Sequence, residues 1–347
     1  MLNTKKVLYS LKDVAIMPAA ISEIRHRSEC NTTYDDGMLP IFTAPMPCVV
    51  NLVTYKTYKE NRINPILPRT EDIELRKSMC HGTWCAFSLS EFKEIFLDND
   101  VDGGVLKVLI DIANGNMLEL YNVSKGAKEK YGNRLKLMVG NIANPETFRK
   151  FGEIGVDYVR LSVGSGQGCI TSTSTGVLYP MASLIDECFQ IKETNDFNTK
   201  IIADGGISSY RRMIKALALG ADYVMLGSTL NKLEDSAGEI IEKVELVRKN
   251  LESGLFPIHR LGKVKYKEYY GMASEKGMKM LGKTGTPEGK MIYNKCEGTI
   301  ESFTKEFEDY LRSAMSYCNI KTIDDFVGGP ELNILSCNAS NQFNQQR

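Results

Sequence analysis

Short apolar runs recur along the chain, and a polar stretch with helical spacing follows each of them. Runs such as VLIDIA and YVMLG are apolar throughout, which is typical of strands buried on both faces of a parallel sheet. Eight runs of this kind occur within roughly 190 residues, at Ile41–Met46, Pro65–Pro68, Thr83–Phe87, Leu106–Ala113, Leu135–Gly140, Tyr158–Val163, Lys200–Ala203 and Tyr223–Leu226. The pattern predicts an α/β fold, a (β/α)8 TIM barrel. An open doubly wound sheet is the alternative, because periodicity does not show whether a sheet closes.

The polar stretches between the runs carry signals of helix boundaries. Asn144–Gly155 opens with Asn144 at an N-cap position and Pro145 at the first helical position. Ser208–Gly220 ends on a glycine, and Ile300–Cys318 has helical spacing as well. We therefore expect a helix after each of several strands, as a barrel requires.

Three regions depart from this alternation. Residues 1–40 form a lead-in segment before a barrel that we place at 41–337. Residues from about 255 to 300 are rich in glycine and lysine without strong periodicity, a property of long functional loops, and we interpret them as an active-site flap. Residues 338–347 are polar, and we expect a disordered tail there. No segment is left for an inserted regulatory domain.

Composition excludes several classes of function. Lys plus Arg and Asp plus Glu number 43 each, so no net charge attracts nucleic acid or an anionic membrane. No apolar run reaches the roughly 20 residues that cross a bilayer, and the N-terminus lacks the apolar core of a signal peptide. Nine scattered cysteines and three histidines form neither a disulfide framework nor a zinc-ligand pattern. We expect a cytoplasmic protein with reduced thiols.

The residues that follow the apolar runs carry the candidate chemistry, because barrel active sites lie at the C-terminal ends of the strands. After Tyr158–Val163 the chain reads GSGQGCIT, which places Cys169 after three closely spaced glycines. Glycines allow the backbone to approach a ligand, and free amides in such a loop bind phosphate and favour a thiolate. Cys169 is therefore a candidate nucleophile. The alternative is a flexible loop with an incidental cysteine.

Three further strand ends carry polar or glycine-rich motifs. After the seventh run the chain reads DGG from Asp204, and after the eighth it reads GS from Gly227. Barrels commonly bind phosphate at these two positions. The Asp204 carboxylate suits ribose hydroxyls, and an N-cap of the next helix is the alternative. The segment from Asp111 to Gly115 follows Leu106–Ile110, the first part of the fourth run, and it suits either contact with a base or an amide-bearing cofactor, or a simple Asn-Gly turn.

Taken in order, these motifs resemble the IMP dehydrogenase/GMP reductase family. GSGQGC is followed by TSTSTGV, IIADGGI, ALALGADYVMLGS and YYGMASEKGM, and the similarity extends back to IRHRSE and TAPMPCV, so it covers nearly the whole chain. The resemblance implies a (β/α)8 barrel that assembles as a homo-tetramer. It also implies that a purine nucleoside monophosphate binds over the cysteine loop, with a nicotinamide cofactor stacked on it.

The resemblance further implies roles for individual residues. Cys169 would be the nucleophile at C2 of the purine, with Thr171 and Glu288 as a proton relay; a solvated loop carboxylate is the alternative for Glu288. The substrate contacts would be Met46, Gly166, Gln167, Asp204, Gly205, Gly206, Gly227, Ser228, Tyr269, Gly271 and Met272. The cofactor contacts would be Asp111, Ala113, Asn114 and Gly115. The monovalent-cation site, suited to K+, would be formed by the backbone carbonyls of Gly164, Gly166 and Cys169.

Within the family, three features favour the reductase branch, whose reaction is the NADPH-dependent reductive deamination of GMP to IMP and ammonia. The segment DIANG resembles the DVANG of reductases, and the chain has no room for the regulatory modules that dehydrogenases usually insert. The stretch between Met278 and Glu288 also lacks the Arg-Tyr pair with which dehydrogenases activate water. We therefore expect a GMP reductase-like oxidoreductase of purine metabolism.

Departures from the family pattern surround the cysteine. Gln167 and Gly168 precede it, and Ser172 stands where the family has an arginine that would anchor the loop. These changes leave a modified purine nucleotide open as the substrate. Three competing functions also stay open, namely an IMP dehydrogenase that uses NAD, a non-catalytic purine-nucleotide sensor and an unrelated phosphate-binding barrel.

Overall fold

The computed structural model of the chain describes residues 6–164, 166, 170–249 and 258–345. Strand β1 lies in the lead-in segment, β2 to β9 follow the predicted runs, and β10 to β13 lie beyond them. Their bounds are β1 Val14–Ile16, β2 Ile41–Thr43, β3 Ile66–Leu67, β4 Trp84–Phe87, β5 Leu106–Asp111, β6 Leu135–Ile142, β7 Tyr158–Leu161, β8 Lys200–Asp204, β9 Tyr223–Leu226, β10 Ile240–Lys249, β11 Ile258–Tyr269, β12 Ile292–Lys295 and β13 Leu332–Ile334.

Helices fill most connections between the barrel strands. They are α1 Tyr55–Glu60, α2 Ile73–Met79, α3 Leu89–Phe92, α4 Leu118–Tyr131, α5 Pro145–Glu153, α6 Thr171–Thr175, α7 Met181–Thr194, α8 Tyr210–Ala218, α9 Ser228–Asn231, α10 Glu275–Met280, α11 Ile300–Tyr317, α12 Ile323–Phe326 and α13 Cys337–Gln345. At α5 the Asn144 side chain accepts a hydrogen bond from the Glu146 amide, which confirms the predicted cap. Within the described ranges, no helix is both long enough and apolar enough to cross a bilayer.

Strands β2 to β9 form one parallel sheet with the neighbour order β2-β9-β8-β7-β6-β5-β4-β3. Its two outer strands meet at a parallel bridge between Phe42 and Asn64. There the Thr43 amide donates to the Asn64 carbonyl and the Asn64 amide donates to the Ile41 carbonyl, both over 3.0 Å. The sheet is therefore closed, and the predicted (β/α)8 barrel is confirmed.

Alternate side chains on the strands fill two separate apolar layers. On β7, Val159 packs toward the helices, whereas Tyr158 packs inside the barrel against Trp84, with ring centroids 5.0 Å apart. The interior cluster consists of Phe42, Ala44, Ile66, Trp84, Ala86, Leu109, Met138, Ile202, Tyr223 and Met225. Because these side chains fill the interior, polar chemistry is confined to the end where the strands stop.

The predicted flap is more regular than its sequence pattern indicates. Strands β10, β11 and β12 form an antiparallel sheet, which we call the flap sheet, and it begins at Ile240, before the predicted start near residue 255. The expectation of an irregular loop is therefore wrong for its described part. The segment KVKYKEY does alternate, with Val264 and Tyr266 between its lysines, and this strand pattern was overlooked in a region rich in glycine and lysine.

The expectation of a disordered tail from residue 338 is also wrong for its described part, where α13 forms. The Ser340 hydroxyl donates to the Lys12 carbonyl over 2.9 Å, and the Arg211 guanidinium lies 4.6 Å from the centroid of the Phe343 ring. This half-buried aromatic ring and the Ser340 hydrogen bond hold a helix whose composition is otherwise polar.

Gly140, on β6, lies where the barrel interior has no room for a side chain. Its φ is +133°, and a Cβ placed on it would lie 2.7 Å from the Arg160 carbonyl oxygen. We predict that Gly140→Ala lowers the free energy of unfolding by about 2 kcal/mol or more, because steric overlap and backbone strain both oppose it. Equilibrium denaturant unfolding measures the change.

Gly104→Ala is the matched control, since nothing lies within 4 Å of a Cβ at that position. Its free energy of unfolding should change by less than about 0.5 kcal/mol. Equal stability of the two variants would contradict the packing described for the barrel interior.

Candidate functional site

The predicted site residues surround the end of the barrel where the strands stop. They lie at or after the ends of β2, β5, β7, β8 and β9, at the end of β11, and on the segments before and after α10. Cys169, Gln167 and Gly168 lie outside the described residues, so their predicted roles stay predictions. The site is therefore built from the residues on either side of them.

Thr171 and Glu288 are 117 positions apart in the sequence and are in direct contact. The Thr171 hydroxyl donates to a Glu288 carboxylate oxygen over 2.7 Å. The Ile170 amide donates to the Glu288 carbonyl, and the Glu288 amide donates to the Ala273 carbonyl, both over 3.0 Å. The backbone thus fixes Glu288 on both sides, and it holds a hydroxyl–carboxylate pair two residues after Cys169.

Ser172 anchors the start of the cysteine loop. Its hydroxyl donates to the Gly164 carbonyl over 2.7 Å, and the φ of Gly164 is +75°. Sequence reasoning expected the missing arginine at this position to loosen the loop, and it missed this anchor. A carbonyl that accepts one hydrogen bond keeps one lone pair. The described part of the predicted cation site therefore offers at most Gly164 and Gly166, which are too few ligands to enclose a cation by themselves.

The loop after β9 approaches a tyrosine of β11, and the Thr229 hydroxyl of α9 donates to the Ile207 carbonyl of the loop after β8 over 3.1 Å. Gly205 and Gly206 have φ values of +88° and +71°, which a residue with a side chain rarely adopts. A Cβ on Gly227 would lie 2.7 Å from the Tyr269 hydroxyl, so only glycine allows this approach. Ser228 opens α9 directly after it. The structure thus brings together the predicted phosphate contacts from three segments.

The remaining predicted substrate contacts lie where the flap sheet meets the loop after β2. Met46, in that loop, is half-buried, as are Gly271 and Met272 just beyond β11. The Cys48 thiol donates to the Tyr270 carbonyl over 3.4 Å, which links the two segments. Burial raises the pKa of Cys48 to about 11, so this thiol stays protonated and is no nucleophile.

Arg160, on β7, lies between two of the predicted site carboxylates. Its guanidinium donates to Asp111 over 2.8 Å and to Asp204 over 2.9 Å. The Arg69 Nε lies 3.0 Å from the second Asp111 oxygen, and the side-chain amide of Asn141 donates to Asp204 over 2.7 Å. The sequence interpretation assigned the two carboxylates to separate subsites and missed Arg160, Arg69 and Asn141. A charged residue in the otherwise apolar strand YVRL was the available signal.

Two members of this network, Asp111 and Arg160, are ionised at neutral pH. Burial raises the pKa of Asp111, but the charges of Arg69 and Arg160 outweigh it and hold that pKa below its usual value. Burial lowers the pKa of Arg160, but the charges of its two carboxylate partners outweigh burial and raise that pKa above its usual value. Asp111 is therefore a fixed hydrogen-bond acceptor and not a proton donor.

The other predicted cofactor contacts form a loop after β5. Ala113 and Asn114 are exposed, and the Asn114 side chain accepts from the Asn116 amide over 3.1 Å, as the turn interpretation expected. The Gly115 amide donates to the Asn141 carbonyl over 2.8 Å. The loop is thus fixed against the strand that also supplies Asn141 to the network.

The depressed pKa of Asp111 predicts a stability that depends on pH. A carboxyl group with a lowered native pKa stabilises the fold above its unfolded pKa of about 3.9, and this contribution is lost as the pH falls through the native pKa. We predict that Asp111→Asn lowers the free energy of unfolding by about 3–5 kcal/mol at pH 7. The reason is that Arg69 and Arg160 then lose the negative charge that offsets the cost of burying them. The variant's unfolding free energy should also fall less steeply than that of the wild type below about pH 4.

Denaturant unfolding between pH 7 and pH 3 measures both effects. Asp100→Asn is the matched control, because the Asp100 side chain is 80% exposed in its ion pair with Lys130. The control should follow the wild-type curve. An Asp111→Asn curve parallel to the wild-type curve at all pH values would contradict the described network.

Comparison with known proteins agrees with this geometry. An IMP dehydrogenase / GMP reductase domain matches residues 94–342. The GMP reductase of Staphylococcus epidermidis is 28% identical over 334 residues, which cover 91% of this chain and 93% of that protein. The GMP reductase of Shouchella clausii is 28% identical over 329 residues, covering 91% and 92%. The IMP dehydrogenase of Chlorobaculum parvum is 32% identical over 238 residues, covering 66% and 45%. The matched domain includes β5 to β9 and the flap sheet. The chain therefore belongs to the IMP dehydrogenase/GMP reductase family of oxidoreductases.

Proposed function

We propose that the chain catalyses the NADPH-dependent reductive deamination of GMP to IMP and ammonia through a covalent adduct on Cys169. The 2.7 Å hydrogen bond between Thr171 and Glu288 carries this proposal. Release of ammonia from C2 of the purine requires a proton on the departing nitrogen. A hydroxyl that is hydrogen-bonded to a carboxylate is suited to deliver one. The two GMP reductases that align with 91% of the chain support the same reaction.

The proposed deamination balances without an added reagent. The Cys169 sulfur bonds to C2, the bond from C2 to the amino nitrogen breaks, and the thiol proton leaves with that nitrogen as ammonia. Glu288 accepts the proton and Thr171 passes it on. Splitting the reaction at a covalent stage lowers each barrier. A bound nicotinamide cofactor supplies the hydride that completes the conversion to IMP.

The carboxylate network fits a site for purine and nicotinamide groups. Both described hydrogen bonds to Asp204 reach Oδ2, which leaves Oδ1 to accept from a ribose hydroxyl. The buried Nε of Arg160 has no hydrogen-bond partner among the described residues, so it remains a donor for a ligand oxygen such as that of a carboxamide.

The geometry gives less support to IMP dehydrogenation. That reaction needs a base that activates water, and the segment from Met278 to Glu288 holds no Arg-Tyr pair. Among the described residues, the Glu288 carboxylate accepts a hydrogen bond from Thr171, and no candidate water-activating residue is bound to it. The hydroxyl–carboxylate contact also has no evident use in a sensor that only binds a nucleotide.

The reaction itself is the first test. We predict that the purified chain with GMP and NADPH forms IMP, ammonia and oxidised cofactor in equal amounts, because one hydride replaces one amino group. Separation of nucleotides by chromatography, together with an ammonia assay, measures all three. The chain should form no XMP from IMP and NAD. Turnover of IMP with NAD, and none of GMP, would show a dehydrogenase instead.

The relay gives a separate prediction. Thr171→Val and Glu288→Gln should each lower kcat for GMP by roughly 10²- to 10⁴-fold, since each removes a member of the proton relay. KM for GMP should change much less than kcat. Thr173→Val is the matched control, because the Thr173 hydroxyl donates to the Ile170 carbonyl and not to Glu288. A Thr171→Val variant with the wild-type kcat would exclude the relay.

A further inference from the structure

Lys267, on β11, is completely buried and binds an unusual set of partners. Its ammonium donates to the Leu233 and Ser236 carbonyls over 2.7 Å and to the Glu234 carbonyl over 3.1 Å. The Ser236 hydroxyl lies 3.0 Å away. Among the described residues Lys267 forms no ion pair, so a full positive charge is held by neutral oxygens alone.

Burying such a charge is costly, and burial accordingly lowers the pKa of Lys267. The acceptors belong to one turn of the chain, residues 233–236, which follows α9. Without the ammonium, three carbonyl groups of this turn would lack a common donor. Lys267 therefore binds the turn after α9 firmly to the flap sheet.

A second buried side chain strengthens the same junction. The side-chain amide of Asn231 donates to the Cys48 carbonyl over 2.7 Å and to the Glu268 carbonyl over 3.1 Å. The side-chain amide of Asn294 in turn donates to the Asn231 side-chain oxygen over 2.8 Å. The loop after β2, the end of α9 and two strands of the flap sheet thus meet at one set of hydrogen bonds.

The junction lies next to the predicted phosphate contacts. Tyr269 is two residues after Lys267, so both side chains point to the same face of β11, and both are buried. The Tyr269 hydroxyl reaches the position where Gly227 has no room for a Cβ. Ser228, the first residue of α9, follows Gly227 directly. A displacement of β11 relative to α9 would therefore change the distance between this hydroxyl and the Gly227–Ser228 backbone.

We propose that Lys267 is a positioning residue that holds Tyr269 and the Gly227–Ser228 backbone at the spacing needed for the 5′-phosphate of the substrate. This inference rests on the proposed function, since it assumes a purine nucleoside monophosphate in the site. Lys267 contacts the turn after α9 and not the nucleotide. Because that turn directly follows the α9 that Gly227 and Ser228 open, we expect the loss of Lys267 to affect contacts to the phosphate more than contacts to the purine.

The test compares GMP with guanosine, which lacks the phosphate. Lys267→Met removes the ammonium but keeps a side chain of similar length. We expect it to weaken GMP binding roughly ten- to a hundredfold, because misplaced contacts lose affinity steeply, and to leave guanosine binding within about twofold. Titration calorimetry measures both, and steady-state kinetics should show a raised KM for GMP with a kcat changed much less.

Lys263→Met is the matched control. Lys263 lies on the same strand, but its side chain is 74% exposed and pairs only with Glu242 among the described residues. Both affinities should equal those of the wild type. Equal weakening of GMP and guanosine by Lys267→Met, or no weakening of either, would overturn the positioning role.

A measurement on the wild type covers the case in which Lys267→Met does not fold. GMP should slow the amide hydrogen exchange of residues 228–236 and 264–269, whereas guanosine should not. Equal protection by both ligands, or by neither, overturns the inference. If the wild type binds and reduces GMP but shows no such difference, only the role of Lys267 fails. If the wild type binds neither ligand, the proposed function fails, and this inference fails with it.

Discussion

The Arg160 guanidinium, held between Asp111 and Asp204, is the interaction on which the open end of the barrel depends. Below it the interior is filled by apolar and aromatic side chains, which offer no partner to a charge. Charged groups are stable in this layer because each carboxylate faces a guanidinium. Gly140, on the neighbouring strand, leaves the space that Arg160 fills. The position of Arg160 between the two carboxylates thus depends on the absence of a side chain at Gly140.

The rest of the site is arranged around this layer. Because Arg160 and Asn141 both bind one oxygen of Asp204, the carboxylate is held in place while its other oxygen stays available to a ligand. The α9 that follows β9 is held to the flap sheet through the buried ammonium of Lys267 and the side-chain amide of Asn231. On the opposite side, Glu288 reaches back from the flap to Thr171. The flap is therefore part of the site's framework and not only a cover for it.

Sequence reasoning succeeded where burial imposes a pattern and failed where only the tertiary structure brings residues together. Strands such as Tyr223–Leu226 are apolar throughout because both faces are buried, and this signal gave the barrel. The flap sheet was missed although the lysines of β11 alternate with its apolar residues, because the glycine- and lysine-rich composition of the region was given more weight than this short pattern. Arg160 is 49 residues from Asp111 and 44 from Asp204, and no local pattern reveals such a pairing. The partnership of Thr171 and Glu288 was expected from the family resemblance alone. The structure brings the two into contact, while the role of Cys169 stays a prediction.

The central claim is that ammonia leaves GMP while the purine is bonded to Cys169, before any hydride arrives. Mass spectrometry of the intact protein, quenched in acid after mixing with GMP and no cofactor, tests this claim most directly. We expect a mass increase equal to GMP less ammonia in the wild type, none in Cys169→Ala, and loss of the increase once NADPH is added. The same increase in Cys169→Ala, or no increase in a wild type that turns GMP over, would rule out an adduct on Cys169.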